Sequence, residues 1–121
     1  MRAELKEIYS SDINLDSFCP EDPKCFAFLL RAMIGPEGEK GSESFDFTVC
    51  TPKWLQQNLP PEETLFGRHR LIVLEYDRDR IVEKISRLCD RTLGRNWTEI
   101  ATRLARFGQW EFEDYQPHPT D

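Results

Sequence analysis

Two runs of alternating side chains, separated by a glycine-rich turn, constrain the fold of this sequence most. Residues 24–34 and residues 43–51 both place phenylalanine and aliphatic side chains at every second position. Successive side chains of a strand point to opposite faces, so each run predicts a β-strand. Residues 35–41 hold three glycines and one proline, which tight turns favour. The sequence therefore predicts an antiparallel hairpin, and the largely apolar character of both faces of its first strand predicts cover on both sides.

The rest of the chain predicts three more strands and three helices. We expect strands over residues 2–10, 70–76 and 109–115, with Ala3, Leu5 and Glu7 on one face of the first. Thr51, Asp77 and Asn96 are predicted helix N-caps, for helices that end near residues 58, 93 and 107. Because the two longer helices come late in the chain, the sequence predicts an α+β fold. It has a mainly antiparallel sheet of about five strands, with those helices on one face.

Length and composition favour one domain over residues 1–121, with residues 116–121 as a frayed tail. The longest apolar run has six residues, too few to span a membrane, and the first residues do not form a secretory signal, so we expect a cytoplasmic protein. The four cysteines (Cys19, Cys25, Cys50 and Cys89) are then expected to be reduced thiols. Their spacing fits no zinc motif, and we expect neither a metal ion nor a cofactor.

Charge is unevenly distributed along the chain, whose net charge is −6. Residues 1–66 hold 6 Lys/Arg and 12 Asp/Glu, residues 67–106 hold 10 and 6, and residues 107–121 hold none and 4. The acidic ends predict two candidate partner-binding groups, since an anionic surface attracts a basic partner; a plain solvent-exposed face is the alternative. The first group is Glu37, Glu39 and Glu43, and the second is Glu111, Glu113 and Asp114, with Glu111 and Glu113 on one side of the last strand.

The basic middle segment contains one ordered feature, which is a row of cations at helical spacing: Arg80, Lys84, Arg87 and Arg91. Such a row indicates either a face for an acidic partner or phosphate, or a solvated helix flank. The flank is favoured because Glu83 can support Arg87 at i,i+4. An acidic chain is also a poor nucleic-acid binder overall.

Catalytic motifs are missing from the sequence. It contains no Gly-x-Ser-x-Gly elbow, P-loop or Gly-x-Gly-x-x-Gly fingerprint, and paired carboxylates without a polar companion do not make an acid/base site. We therefore predict no catalytic residues and no enzyme activity.

Several stretches resemble the immunity protein 8 family of bacterial polymorphic-toxin systems. They are the segment Gly-Ser-Glu-Ser-Phe-Asp-Phe-x-Val-Cys-Thr-Pro-Lys-Trp-Leu at residues 41–55, Tyr76-Asp77, Trp97, and the closing Trp-Glu-Phe-Glu-Asp-Tyr at residues 110–115. The resemblance extends from Ala3 to Tyr115. It implies a small cytosolic protein that binds and neutralises the toxin domain encoded beside it, for example in contact-dependent growth inhibition. It implies no enzyme activity and assigns no binding residues.

The sequence and the resemblance together predict an immunity protein that forms a tight heterodimer with a toxin domain, of the nuclease type because an acidic inhibitor suits a basic cleft. Membranes and nucleic acids are not expected partners. The alternative is a small adaptor domain, unrelated to toxins, that self-associates weakly through an edge strand as a homodimer.

Overall fold

The computed structural model of the chain describes residues 1–113. Five strands and three helices follow one another along it: β1 (Ala3–Tyr9), β2 (Ala27–Pro36), β3 (Glu43–Cys50), α1 (Pro52–Asn58), β4 (Arg70–Ile72), α2 (Arg78–Asp90), α3 (Trp97–Leu104) and β5 (Gln109–Trp110). The predicted α+β class is confirmed.

All five strands form one sheet, in which β1, β2 and β3 are neighbours and run antiparallel. The far edge of β3 is shared by two short strands. β5 pairs antiparallel with Phe45 and Asp46, and β4 pairs in parallel with Thr48 to Cys50. The sheet is therefore mostly antiparallel, as predicted, with one parallel pair.

The predicted β2–β3 hairpin is confirmed, with Ala32 opposite Phe45 and Leu30 opposite Phe47. Its turn needs glycine for conformational reasons at two positions, because Gly38 and Gly41 have φ of 79° and 100°. Such angles are costly for residues with a Cβ, so the glycine content of this segment follows from its geometry.

One face of the sheet and two helices enclose the core. The largest fully buried side chains include Phe45, Leu30 and Ile34 from the strands, together with Ile85 of α2 and Ile100 of α3. They belong to one continuous cluster of buried apolar residues. Burying a side chain of this size contributes about 1.5–3 kcal/mol, so this layer dominates the stability of the fold.

The prediction that β2 is covered on both sides is wrong. Leu29, Arg31 and Met33 on its second face are only partly buried, because α2 and α3 both contribute to the core on the other face. Arg31 lies opposite Asp46 on this open face, and its Nε and one terminal nitrogen donate to the two carboxylate oxygens at 2.8 and 2.9 Å. That hydrogen bonding raises the pKa of the Arg31 guanidinium above its ordinary value.

Strand β1 departs from the predicted alternation. Its pairing with β2 shifts between Leu5 and Glu7, which is the signature of a β-bulge. After this shift Ile8 packs against the core, whereas Glu7 is exposed. The predicted placement of Glu7 on one face with Ala3 and Leu5 is therefore wrong, because the bulge resets the face of every later side chain.

The two last strands are shorter than predicted. β4 ends at Ile72, and Val73 makes only one further backbone bond to Cys50 before the chain turns away. β5 ends at Trp110 and residues 111–113 form a turn. The remainder of the predicted last strand, residues 114 and 115, and the predicted frayed tail lie outside the described residues.

All three predicted N-caps are confirmed. The side chains of Thr51, Asp77 and Asn96 each accept a hydrogen bond from the backbone N–H three residues later. The helices end slightly earlier than expected, at Asp90 for α2 and Leu104 for α3. Within residues 1–113, no helix has the length and apolarity that crossing a membrane requires.

Candidate functional site

The first acidic group divides between an exposed turn and a partly buried position. Glu37 and Glu39 are exposed in the β2–β3 turn. Lys6 of β1 fastens this turn, because its Nζ donates to the backbone oxygen of Glu39 and to Oε1 of Glu4, both at 2.8 Å. Hydrogen bonds from Lys6 and from the Gly38 N–H lower the pKa of the Glu4 carboxyl, so this end of the sheet carries carboxylates at neutral pH.

Glu43 is engaged inside the protein. It is partly buried at the start of β3, and its Oε1 accepts hydrogen bonds from the indole N–H groups of Trp97 and Trp110. The two tryptophans come from α3 and β5, so one carboxylate joins three elements. The sequence pattern groups Glu43 with the exposed turn, because the two indole donors lie more than fifty residues away.

Glu111 and Glu113 of the second acidic group bond to different parts of the protein. Glu111 Oε1 accepts from the backbone N–H of Ser44 at 2.8 Å, so its side chain bonds along β3. The Glu113 carboxylate is 10% exposed, forms an ion pair with Arg68 and lies 3.3 Å from Nε2 of His69. The predicted alignment of Glu111 and Glu113 is wrong, because the strand ends before both. Asp114 lies outside the described residues.

The row of cations on α2 lies on the exposed side of the helix. Arg80, Lys84, Arg87 and Arg91 line a shallow groove together with Glu83 and Asp90. Arg87 forms the expected i,i+4 ion pair with Glu83. Along this part of the helix the charges are mixed, which fits the solvated flank favoured from the sequence.

A basic cleft that sequence analysis missed lies beside this row. It is a cavity of about 230 Å³ between α2, the segment that leads into β4, and the residues that follow α3. Its apolar floor consists of Phe47, Leu71, Ile85 and Leu88, and Phe107 lies at its margin. Six basic side chains complete the lining: Arg68, His69, Arg70, Lys84, Arg91 and Arg106. Among residues 1–113, no aspartate or glutamate lines the cleft itself, and the Glu113 carboxylate lies behind it against Arg68 and His69.

His69 holds one wall of the basic cleft in place. Within residues 1–113 it is the one non-glycine residue with positive φ, at 62°. Its backbone oxygen accepts from Thr48 N–H at 2.9 Å, and its Nε2 lies 3.1 Å from the backbone oxygen of Ala105. The wall is therefore bonded to β3 on one side and to the end of α3 on the other.

The sequence contained one signal for this cleft, which is the excess of basic residues between positions 67 and 106. The lining residues come from four separate segments, so no local motif marks them. Only Lys84 and Arg91 belong to the predicted row on α2.

Within residues 1–113, no group of three or more His, Cys, Asp or Glu side chains is arranged to hold a metal ion. Cys19 is exposed, Cys25 is partly buried, and Cys50 and Cys89 are buried; all four are free thiols.

The sheet, the helices on one face and the charged surfaces in separate regions define a small α+β domain. Comparison with known families shows which domain this is. The model of immunity protein 8 matches residues 3–115, and the chain belongs to this family. Membership implies an immunity protein directed against polymorphic toxins. Neither the curated proteins nor the solved structures gave a significant match.

Proposed function

We propose that this chain binds the toxin domain encoded beside it and neutralises that domain by forming a tight one-to-one complex in the cytoplasm. The observation that carries the proposal is the family match over residues 3–115, which covers nearly the whole chain. A binding protein of this kind needs a stable fold and a displayed surface, and it needs no catalytic group. The absence of catalytic motifs in the sequence is consistent with this role.

The proposed toxin is of the nuclease type. Nucleases bind a polyanion, so their clefts are basic, and a protein with a net charge of −6 is attracted to them. Electrostatic attraction of this kind increases the association rate more than it increases the final affinity. The exposed residues Glu37 and Glu39 are the foremost candidates, because their side chains are displayed on the β2–β3 turn.

The other acidic candidates also remain in the proposal, although three of them already form bonds within the protein. Binding through Glu43 or Glu113 would compete with their bonds to Trp97, Trp110, Arg68 and His69. Glu111 is exposed and uses one oxygen for Ser44, so its second oxygen is available to a partner. Asp114 follows this turn in sequence and keeps its place as a candidate.

The proposed function is tested by co-expression. The toxin domain is the variable C-terminal region of the large protein encoded immediately upstream, and it is induced with and without this chain. We expect growth only when the chain is present, and a one-to-one complex on purification. Equal loss of viability in both cultures would contradict the proposal.

The acidic turn, which is the β2–β3 turn with Glu37 and Glu39, is tested by charge reversal. We expect Glu37→Lys and Glu39→Lys together to slow association with the toxin and to weaken its dependence on salt between roughly 50 and 300 mM. The matched control is Glu62→Lys with Glu63→Lys, which makes the same change in net charge at two other exposed positions. Equal association rates for the two double variants would exclude a specific role for the acidic turn.

Self-association through an edge strand, the alternative function, finds little support at β1. Its edge carries Glu4, Lys6 and Glu7 as exposed charges, and it contains the bulge. Both are devices that disfavour edge-to-edge pairing. Light scattering of the purified chain measures this directly, and a concentration-dependent dimer in the absence of toxin would favour the adaptor alternative.

A further inference from the structure

The basic cleft combines a buried apolar floor with exposed aromatic side chains beside it, and these two properties occur together in protein-binding sites. Phe47 and Ile85 in its floor are almost fully buried, at 4% and 1% exposure, whereas Phe107 at its margin is 52% exposed. Phe66, directly before the cleft residue Gly67, is 95% exposed. Exposed aromatic side chains beside a concave apolar floor are typical of anchor positions in protein interfaces.

Four of the six basic side chains around this floor form no ion pair within residues 1–113. Among residues 1–113, nine of the sixteen Lys and Arg side chains form ion pairs with a carboxylate. Of the seven that do not, four line this one cleft: Arg70, Lys84, Arg91 and Arg106. Nε of Arg70 is also buried without a hydrogen-bond partner in the described chain. A buried donor of this kind is stabilised when an acceptor enters the cleft.

We propose that the basic cleft receives an acidic segment of the toxin, with an apolar side chain of that segment on the Phe47–Ile85 floor and its carboxylates against Arg70, Lys84, Arg91 and Arg106. This inference rests on the proposed function and names the surface and the chemistry of the partner. It is independent of the acidic turn, which would contact a basic region of the toxin.

The dimensions of the cleft favour a protein side chain over other anionic ligands. A cavity of about 230 Å³ is smaller than the usual small-molecule pocket of roughly 300–1,000 Å³. Nucleic acid is disfavoured because the chain as a whole is negative and would repel an extended polyanion. A short acidic segment carries fewer charges and gains from the apolar floor, which a phosphate backbone does not.

The test uses the full chain and its toxin domain, with toxin activity blocked if necessary by a substitution in the toxin. The cleft variant is Lys84→Glu with Arg106→Glu, which are exposed lining positions on α2 and after α3. The matched control is Lys24→Glu with Arg95→Glu, which are exposed, lie outside the cleft and change the net charge by the same amount. We expect the cleft variant to bind the toxin at least about tenfold more weakly and the control to bind within about twofold of wild type.

A second variant tests the apolar part of the proposal without changing charge. Phe107 is half exposed, so Phe107→Ala removes an anchor with little effect on the core. We expect about a tenfold loss of affinity, as for an aromatic residue at an interface centre, with an unchanged thermal unfolding midpoint. Phe66→Ala is the comparison at a more exposed position.

Three outcomes distinguish a failure of this inference from a failure of the proposed function. If wild type binds and protects while the cleft variants match it, the basic cleft is not the toxin surface and the inference fails alone. If wild type binds a short duplex DNA through the cleft and toxin binding is unaffected by the cleft variants, a nucleic acid is the ligand and the inference also fails. If wild type neither binds the toxin nor protects cells, the proposed function fails and the inference falls with it.

Discussion

Trp110 donates the indole N–H at its Nε1 to Oε1 of Glu43, at a distance of 3.1 Å. This bond joins β5 to the first residue of β3, and Trp97 of α3 donates to the same oxygen. One partly buried carboxylate oxygen thus accepts from two indole donors that come from different elements. The arrangement indicates that Glu43 primarily stabilises the fold.

Replacing Glu43 with alanine is therefore expected to destabilise the protein. Both indole N–H groups lose a charged acceptor, and such a loss costs about 2 kcal/mol of unfolding free energy. Urea unfolding followed by tryptophan fluorescence measures the change. Glu37→Ala is the control, since its side chain is exposed in the turn and its removal should change stability by less than about 0.5 kcal/mol. Equal stability of the two variants would contradict the assigned role of Glu43.

Gly35 is expected to tolerate no side chain. A Cβ at this position would overlap the backbone oxygen of Gly41 across the hairpin, and a backbone atom cannot move away as a flexible side chain can. We expect Gly35→Ala to lower the unfolding free energy by about 3 kcal/mol, at the upper end of the cost of overpacking. Gly67→Ala is the control because a Cβ there meets no atom within 4 Å. A Gly35→Ala variant with wild-type stability would show that the turn adopts another conformation.

Thr51 provides a third test, at the junction of β3 and α1. Its side-chain oxygen accepts from Trp54 N–H at 3.2 Å and from Phe26 N–H at 3.3 Å, and the residue is fully buried. Thr51→Ala leaves both donors without this acceptor, and we expect a loss of about 2 kcal/mol. Thr51→Ser keeps the oxygen and should recover most of that loss in the same urea titration. Equal losses for alanine and serine would attribute the effect to packing of the methyl group.

Thr51 also shows which features of the fold can be predicted from the sequence alone. Its position before Pro52 predicted the N-cap of α1, and the alternation around it predicted β3, because both signals are local. Its bond to Phe26 was not predicted, since that residue is twenty-five positions away. The bulge at Leu5 and the early end of β4 were missed for a similar reason, as both depend on which strand lies alongside.

The candidate site was less predictable than the fold. Charge counting located acidic ends and a basic middle, yet it could not show that Glu43 faces two tryptophans. Nor could it show that Arg70, Lys84 and Arg106 meet around one cavity. Exposure and pairing of a charged side chain are set by tertiary contacts. A sequence pattern therefore predicts the presence of charge better than its availability to a partner.

Cys89 is expected to make stability depend on pH in the alkaline range. Burial raises the pKa of its thiol to about 12, whereas a thiol in the unfolded chain has a pKa of about 8.5. Between these values the unfolded chain binds fewer protons than the folded protein, so unfolding becomes more favourable as pH rises. The stabilisation is fully present below about pH 8.5 and is lost progressively up to the folded pKa.

The measurement is the unfolding free energy of wild type and Cys89→Ala at pH 8 and pH 10, in reducing buffer. We expect wild type to lose about 2 kcal/mol more than the variant over this interval. Cys19→Ala is the control, because Cys19 is exposed and its removal should leave the wild-type pH dependence intact. The cavity left by Cys89→Ala lowers the unfolding free energy equally at both pH values, so it does not affect the difference between them. Parallel pH profiles for wild type and Cys89→Ala would show that the Cys89 thiol ionises as readily in the folded protein as in the unfolded chain.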